Sequence, residues 1–274
     1  MDIHEKMENL RSQLRKLDRV AVAFSGGVDS TFLLKAAYET LGDGTMAVIA
    51  RAATLPQWEY KEAVEFVRDL GVRYVVLYPD QFSIENFVKN IPDRCYDCKK
   101  ELFTGILEAA EENGMLYVAD GSNADDVNDY RPGTRAVREL GIISPLLEAG
   151  LYKAEIRQLS REMGLKTWDK PSLACLASRI PYGQEITREK LAMVEAAEKF
   201  LLELGFKQFR VRHHGDVARI EVAADEKEKF FDALLMDRIH GRLTELGFKY
   251  TALDLKGYRM GSMNEGLLQE TGKA

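Results

Sequence analysis

The sequence predicts an α/β protein, a Rossmann-like, doubly wound parallel sheet with a small C-terminal α+β domain. In the first part of the chain, short apolar runs alternate with helical segments, which is typical of parallel sheets. After Gln184 the pattern changes to a long helix, two short strands, a second helix and a final strand. We therefore expect two domains, at 1–183 and 184–274. The four apolar runs of the first domain lie at 20–24, 46–50, 74–77 and 116–119.

The remaining elements follow from apolar spacing. Apolar residues at helical spacing within 1–17 predict an N-terminal packing helix. Helices are also expected at 58–70 and 95–112. In the second domain we expect helices at 187–204 and 226–246 and strands at 209–211, 218–222 and 250–255.

The first apolar run leads into Ser25-Gly26-Gly27-Val28-Asp29-Ser30, where the next helix begins. Ser25, Gly26 and Gly27 carry too little side chain to cover their own backbone amides, and amides at a helix N-terminus bind phosphate. A carboxylate such as Asp29 repels phosphate unless a cation lies between them, which points to a Mg²⁺–nucleotide complex. A plain strand–turn–helix is the alternative, because Gly-Gly is common in tight turns.

The complete string from Ser25 to Ser30 is more specific than a glycine pair. It resembles the pyrophosphate-binding loop (PP-loop) of the ATP pyrophosphatases, which split ATP into AMP and pyrophosphate to adenylate a substrate. It lacks the Gly-Lys-Ser/Thr ending of a Walker loop, which disfavours ordinary hydrolysis of the γ-phosphate. The resemblance implies that ATP and Mg²⁺ bind here, with Ser30 and Asp29 among the contacts.

Polar residues follow other strands of the predicted sheet. Arg51 and Asp120 come directly after apolar runs, as Ser25 does. Ligands of doubly wound sheets bind at the carboxyl ends of the strands, so these side chains are expected at the nucleotide. Gly121 opens a polar loop that can line the same site.

Lys153 and Arg157 open a further helix and are four residues apart, so they share a face and can reach one anion. A solvated helix face, with Glu155 as charge partner, is the alternative. The string Lys-x-Glu-Ile-Arg also resembles a second signature of the ATP pyrophosphatases, which favours contact with pyrophosphate.

The three cysteines of the chain are Cys95 and Cys98, at the start of an expected helix, and Cys175. A C-x-x-C pair on its own is a redox pair, half of a zinc site or two buried thiols. A structural zinc site takes four protein ligands, and the sequence has no fourth cysteine. Three cysteines can hold a 4Fe–4S cluster and leave one iron without a protein ligand, which can carry an exogenous sulfide.

Arg210 and Arg212 alternate with apolar residues on an expected strand, so both guanidinium groups point to one face. Two adjacent cations repel unless an anion joins them, and a phosphate is the natural partner. Glu198, on the preceding helix, is expected to orient one of these arginines. A solvated edge strand with ordinary charges is the alternative.

The composition limits the classes of partner. The chain is 46% hydrophobic and 30% charged, as in ordinary globular proteins. Its net charge of −6 argues against a nucleic-acid grip over the whole surface. The sequence shows neither a membrane-spanning apolar run nor a signal peptide, so we expect a cytoplasmic protein without membrane contact.

Three segments together resemble the LarE family of ATP-dependent sulfur transferases over almost the whole chain. They are the Ser25–Ser30 loop, the Pro-Ser-x-x-Cys-x-x-Ser-Arg segment that ends at Arg179, and Arg-Val-Arg-His-His-Gly-Asp from Arg210. LarE-like enzymes insert sulfur into the precursor of the nickel-pincer nucleotide cofactor. The implied substrate is a small nucleotide-like molecule, pyridinium-3,5-biscarboxylic acid mononucleotide.

The resemblance also implies a mechanism. A substrate carboxylate attacks the α-phosphorus of ATP, and a sulfur nucleophile then displaces AMP to give a thiocarboxylate. Some members use the sulfur of the cysteine that matches Cys175, leaving dehydroalanine. Others add the C-x-x-C pair and are thought to bind a 4Fe–4S cluster, the pattern found here. Ser178 and Arg179 would then lie beside the reacting carboxylate, and the family suggests a homo-oligomer, a hexamer.

Two other classes of function remain open. A tRNA thiolase can also combine this loop with a three-cysteine cluster, although the acidic charge and the lack of an evident RNA-binding module weigh against it. A nucleotide-binding sensor is disfavoured by Asp29 and by the pair Lys153 and Arg157, because a sensor need not stabilise departing pyrophosphate.

Overall fold

The computed structural model describes residues 1–128, 132–171, 175–259 and 262. The chain divides into two compact units, Met1–Phe87 with Asp93–Leu173, and Val88–Pro92 with Ala174–Ala274. The assignment of ATP binding to 1–183 and of substrate binding to 184–274 stays a prediction.

The helices and strands are numbered along the chain. Up to residue 171 the α-helices are α1 (Ile3–Arg15), α2 (Val28–Leu41), α3 (Gln57–Leu70), α4 (Glu85–Val88), α5 (Arg94–Glu112), α6 (Pro132–Glu139), α7 (Pro145–Glu148) and α8 (Lys153–Glu162). The strands of this part are β1 (Val20–Ala23), β2 (Thr45–Ala50), β3 (Arg73–Leu77) and β4 (Tyr117–Ala119). From residue 175 onward the elements are α9 (Arg188–Glu203), β5 (Phe209–His214), β6 (Val217–Val222), α10 (Ala233–Glu245) and β7 (Tyr250–Leu253).

The sheet of the first unit is parallel, with the strand order β3-β2-β1-β4. Side chains alternate across a strand, so Val20 and Val22 pack into one apolar cluster and Ala21 into the cluster on the other face. Helices cover both faces, which explains why β1 is apolar throughout. The predicted Rossmann-like α/β fold is therefore confirmed.

The N-terminal helix α1 is capped by Asp2, whose carboxylate accepts hydrogen bonds from the amides of His4 and Glu5. The predicted stripe supplies its buried face, with Met7, Leu10 and Leu14. It packs against α2 and α7, and its buried residues join the apolar cluster that contains Val20 and Val22 of β1.

The second unit contains a mixed three-stranded sheet, β5-β6-β7, on which α9 and α10 pack. Strands β5 and β6 are antiparallel, whereas β6 and β7 are parallel. The expected single helix at 226–246 is wrong, because the chain forms a 3₁₀ helix over Ala224–Phe231 and then α10. Asp232 causes the break, since its side chain accepts from the amides of Leu234 and Leu235 and so begins a new helix.

Val88–Pro92 belongs to the second unit because of Asn90. This buried residue has a positive φ of 54°. Its side-chain amide donates to the carbonyl oxygens of Ile180, Pro181 and Gln184. None of the helices in the described ranges combines the length and the apolar character needed to cross a membrane.

Candidate active site

The Ser25–Ser30 loop connects β1 to α2. Gly26 has a φ of +73°, a conformation that side chains rarely adopt, and a Cβ on it would lie 3.1 Å from the Cβ of Ala63. A Cβ on Gly27 would meet only the hydroxyl of Ser25, at 3.5 Å. The loop is thus close-packed at Gly26 and open at Gly27, where α2 begins.

Hydroxyl groups hold the two ends of the loop together. The Ser25 and Ser30 hydroxyl oxygens are 3.0 Å apart, and the Ser30 hydroxyl donates to the carbonyl of Gly27 at 3.3 Å. The first N–H groups of a helix have no partner within the helix. The loop and the α2 N-terminus therefore provide the amide-lined geometry that suits phosphate.

Asp29 lies in the first turn of α2, and its side chain is 23% exposed. Its carboxylate accepts from the ammonium of Lys153 at 2.5 Å and from the Nδ2 of Asn123 at 3.3 Å. The structure therefore brings together two predicted residues of separate motifs. Asn123 was not among the predicted contacts, although it belongs to the polar loop that Gly121 opens.

Asp120 and Gly121 shape the loop after β4. The nearly buried Asp120 carboxylate accepts hydrogen bonds from the hydroxyls of Ser122 and Ser144, at 2.6 and 2.7 Å. A Cβ on Gly121 would lie 3.1 Å from the amide nitrogen of Ser30. Glycine at this position therefore allows the β4 loop to approach the start of α2.

Arg51 donates from Nη2 to Gln57 at 2.7 Å and stacks on the ring of Tyr60. Arg157 donates to the backbone carbonyls of Trp168 and Lys170, at 2.7 and 2.9 Å. These two carbonyls hold the Arg157 guanidinium, and the contact of Arg157 and Lys153 with one anion stays a prediction.

Lys170 is a residue of this site that sequence reasoning missed. Its ammonium lies 2.7 Å from Glu59 and 2.8 Å from Glu62, both on α3, and 3.3 Å from the carbonyl oxygen of Gly26. The only sequence signal was its position at the start of the segment that leads to Cys175. A lysine before a proline is too common to indicate a site.

Cys95 and Cys98 occupy the first turn of α5 in the first unit, and both are partly exposed. The buried Arg94 donates from Nη1 to the sulfur of Cys95 at 3.2 Å. No group of three or more His, Cys, Asp or Glu side chains in the parts of the chain that the structure describes is arranged to hold a metal ion.

Cys175 belongs to the second unit and is free and exposed. It directly precedes a short 3₁₀ helix, Leu176–Arg179. Its carbonyl oxygen accepts from the amide of Ser178 at 2.9 Å and from the guanidinium of Arg179 at 3.1 Å. Residues 172–174 of the predicted motif lie outside the described residues.

Arg179 and Glu198 form a fully buried pair, with bonds from Nε and Nη2 of 2.8 and 2.9 Å. Glu198 also accepts from the backbone amide of Val211 on β5 at 3.0 Å. Arg179 and this amide contact the carboxylate, and its charge also acts on Arg210, so the orientation of a β5 arginine by Glu198 stays a prediction. Arg179 also donates to the Ser178 hydroxyl, so it ties the Cys175 segment to α9.

Arg210 and Arg212 are buried, which excludes a solvated strand face. Arg212 donates to Glu221 at 2.7 Å, to Ser262 at 2.9 Å and to the carbonyl of Ser178 at 3.0 Å. Its Nε is buried without a hydrogen-bond partner among the described residues.

Arg210 donates to the carbonyl of Phe209 and stacks on the ring of Tyr258. Burial lowers its pKa to about 10, and the nearby charge of Arg179 adds to the effect. We call Arg179, Arg210 and Arg212 the arginine cluster. Among the described residues, two fully buried carboxylates, Glu198 and Glu221, belong to ion pairs of this cluster.

The chain is similar to several known proteins. It is 40% identical over 263 residues to the pyridinium-3,5-bisthiocarboxylic acid mononucleotide synthase of Lactiplantibacillus plantarum, covering 96% of this chain and 95% of that enzyme. It is also 40% identical over 265 residues to an uncharacterized protein of Synechocystis, covering 97% and 99% of the two chains. A tRNA-specific 2-thiouridylase of Xanthobacter autotrophicus is 30% identical over 221 residues, 66% of this chain and 56% of that enzyme. No protein-family model matches the sequence.

Proposed function

The chain belongs to the family of the pyridinium-3,5-bisthiocarboxylic acid mononucleotide synthases, and on this basis we propose that it transfers sulfur to a carboxylate of pyridinium-3,5-biscarboxylic acid mononucleotide. ATP is split into AMP and pyrophosphate in the same reaction. The likeness to the Lactiplantibacillus synthase along nearly its full length is the observation that carries the proposal. The small-molecule substrate, the cytoplasmic location and the oligomer stay predictions.

The ATP step is assigned to the Ser25–Ser30 loop. Its amides and the N-terminus of α2 bind the phosphates that leave as pyrophosphate, because they offer hydrogen-bond donors that need no rearrangement. The openness at Gly27 supports this role, since phosphate can approach the backbone there. The substrate carboxylate attacks the α-phosphorus, and the bond from that phosphorus to the pyrophosphate oxygen breaks.

Asp29 and Lys153 supply the charges of this step. Magnesium usually keeps several waters and takes one or two protein carboxylates, so a single partly exposed carboxylate such as Asp29 fits it. Bound there, Mg²⁺ would offset the negative charge of the phosphates. Lys153 then exchanges its contact with Asp29 for one with the departing pyrophosphate.

The phosphate of the mononucleotide is assigned to Arg210 and Arg212. The buried Nε of Arg212 without a partner supports this assignment, since such donors are costly unless a ligand pairs with them. The lowered pKa of Arg210 supports it as well, because a bound anion would stabilise the charged guanidinium. Arg179, held by Glu198, acts through the backbone around Cys175 rather than on the substrate itself.

The sulfur step is assigned to Cys175 together with Cys95 and Cys98. All three cysteines have solvent access, and Arg94 donates to the sulfur of Cys95, so the donor set fits an iron–sulfur cluster. A 4Fe–4S cluster held by these thiolates would supply an exchangeable sulfide. The alternative is that Cys175 attacks the acyl-adenylate itself and loses its sulfur by elimination, leaving dehydroalanine.

The products of ATP test the proposal. Protein incubated with Mg²⁺, ATP, sulfide and the biscarboxylate mononucleotide is expected to give AMP and pyrophosphate only when the mononucleotide is present. Formation of ADP and inorganic phosphate would overturn the assignment.

The source of the sulfur is tested by the mass of residue 175 after repeated turnover of anaerobically reconstituted protein. Intact Cys175, with loss of iron and acid-labile sulfide in Cys95→Ala and Cys98→Ala, would support the cluster. Stoichiometric dehydroalanine at residue 175, with both alanine variants fully active, would contradict it.

A tRNA substrate is the second candidate, favoured by the likeness to the thiouridylase. The net charge of −6 weighs against it. Retention of tRNA by the protein during electrophoresis, followed by thiolation of that RNA, would establish this candidate instead.

A further inference from the structure

Lys170 contacts the ATP loop, although no motif assigns it a role. It donates to the carbonyl oxygen of Gly26 at 3.3 Å. Its side chain is only 14% exposed, and Glu59 and Glu62 hold the ammonium from the other side. The Lys170 ammonium therefore contacts both the carboxylates of α3 and the backbone of the Ser25–Ser30 loop.

The hydrogen bond from Lys170 constrains the whole peptide unit between Gly26 and Gly27, not only the carbonyl oxygen. The carbonyl of Gly26 and the N–H of Gly27 belong to one planar peptide unit, so a bond to the first sets the direction of the second. The Gly27 N–H makes a long hydrogen bond of 3.4 Å to the Ser25 hydroxyl, which a bound phosphate would replace. Helix α3 reaches the same peptide through Ala63, which packs against Gly26. One face of α3 thus packs on Gly26 and places the charge partners of Lys170.

Arg157 holds the segment that carries Lys170. Its guanidinium donates to the carbonyl oxygens of Trp168 and of Lys170 itself. The residue that sequence analysis assigned to pyrophosphate is therefore connected to the ATP loop through Lys170.

We propose that Lys170 is a positioning residue of the ATP site, which keeps the Gly26–Gly27 peptide in the orientation that presents its N–H to phosphate. The inference rests on the proposed function, in which this loop binds the phosphates of ATP. Glu59 and Glu62 hold the ammonium in place, and Arg157 holds its backbone.

The charges of the group are consistent with this role. Burial opposes the charged form of Lys170, but Glu59 and Glu62 outweigh it and raise the pKa of the ammonium. Lys170 therefore stays protonated and keeps its hydrogen bond throughout the neutral range. Burial raises the pKa of Glu59, so this carboxylate depends on Lys170 for its charge.

The test compares Lys170→Met with the double variant Lys170→Met/Glu59→Gln, which removes the buried carboxylate that the single change leaves unpaired. Lys6→Met is the matched control, because Lys6 forms a similarly shielded ion pair with Glu155, at 2.7 Å, in the same unit. The measurements are the midpoint of urea unfolding, the affinity for Mg²⁺–ATP by calorimetry, and the amide resonances of isotope-labelled glycines.

Loss of this hydrogen bond is expected to weaken Mg²⁺–ATP binding about three- to tenfold in both Lys170 variants. The double variant should regain stability without regaining affinity, and the Gly27 resonance should move in both. Lys6→Met should lower stability but leave the affinity for Mg²⁺–ATP and the Gly27 resonance unchanged.

Two results would overturn the inference. One is recovery of ATP affinity together with stability in the double variant, which would make Lys170 a purely structural ion pair. The other is an unmoved Gly27 resonance. If the parent protein binds no Mg²⁺–ATP, the proposed function fails, while the resonance still decides whether Lys170 orients the loop.

Discussion

Phosphate binding is proposed for both the Ser25–Ser30 loop and the arginine cluster, but the two regions are built in opposite ways. The loop uses backbone amides, and its charged neighbours Asp29 and Lys153 are partly exposed. The cluster uses side-chain charges that are removed from water and held by fully buried carboxylates.

Because of this difference, substitutions in the two regions should have different effects on ligand binding and on stability. A partly exposed ion pair contributes little to stability, whereas breaking a buried pair leaves a charge without compensation. Changes at Gly27 or Asp29 should therefore affect ligand binding with little change in stability, while changes in the cluster should affect stability as well.

The largest expected effect is on catalysis by the loop. Gly27→Val should reduce adenylation roughly a hundredfold or more, because the added side chain occupies the space through which phosphate reaches the amides. Stability should change little, since a Cβ there meets only the Ser25 hydroxyl. The release of AMP and pyrophosphate measures the first effect, and urea unfolding measures the second.

The control is Gly241→Val on α10, where a Cβ meets open space. An equal loss of activity in this variant would refute the explanation that the valine side chain introduced at residue 27 blocks phosphate.

The largest expected effect on stability is in the cluster. Arg179→Met should lower the free energy of unfolding by about 3–5 kcal/mol, because Glu198 is left buried and unpaired. Arg179→Met/Glu198→Gln should regain much of this loss and keep an acceptor for the Val211 amide. By contrast, Asp29→Asn should cost at most about 1 kcal/mol. Equal losses in urea unfolding for the Arg179 and Asp29 variants would remove the distinction between the two regions.

Within the cluster, Arg210→Ala sharpens the assignment of the substrate phosphate. Loss of a charge-assisted hydrogen bond should weaken mononucleotide binding roughly ten- to a hundredfold and leave the affinity for ATP unchanged. Arg238→Ala on α10 serves as the control, because this arginine is exposed. Calorimetric titration with each ligand measures both affinities. Unchanged mononucleotide binding in Arg210→Ala would leave this arginine a structural charge.

The smallest expected effect is on the pH dependence of binding. Burial lowers the pKa of Arg210 to about 10, and a bound phosphate would favour the charged form. Mononucleotide binding should therefore take up a proton above that pKa, so the affinity should fall as the pH rises through it. Titrations below and above this pH measure the slope, which should be smaller in Arg210→Ala. A slope that is the same in parent and variant would assign the titration to another group.

The parts of the site that the sequence predicts are those built from residues that lie close together in the chain. The loop is local, because β1, the glycines and the start of α2 follow one another and their pattern indicates a phosphate site directly. The cysteine spacing and the alternation of Arg210 with Arg212 are local patterns as well.

Contacts between distant residues were not predictable in this way. Glu198 and Arg179 meet because a 3₁₀ helix packs on α9, and nothing in their sequence spacing distinguishes Arg179 from the arginines of β5 as a partner. Lys170 reaches Gly26 across 144 positions of the chain. The single helix expected at 226–246 failed for a local reason, because the capping strength of Asp232 outweighed the helical spacing around it.

The central claim, that ATP activates a carboxylate of the mononucleotide, is tested most directly by the fate of the carboxylate oxygen. Mononucleotide labelled in its carboxylates with a heavy oxygen isotope is incubated with the protein, Mg²⁺, ATP and a sulfide source, and the AMP is analysed by mass spectrometry. If the carboxylate attacks the α-phosphorus and sulfur then displaces AMP, each AMP carries one labelled oxygen and each thiocarboxylate has lost one. AMP without label, formed alongside thiocarboxylate, would contradict the account.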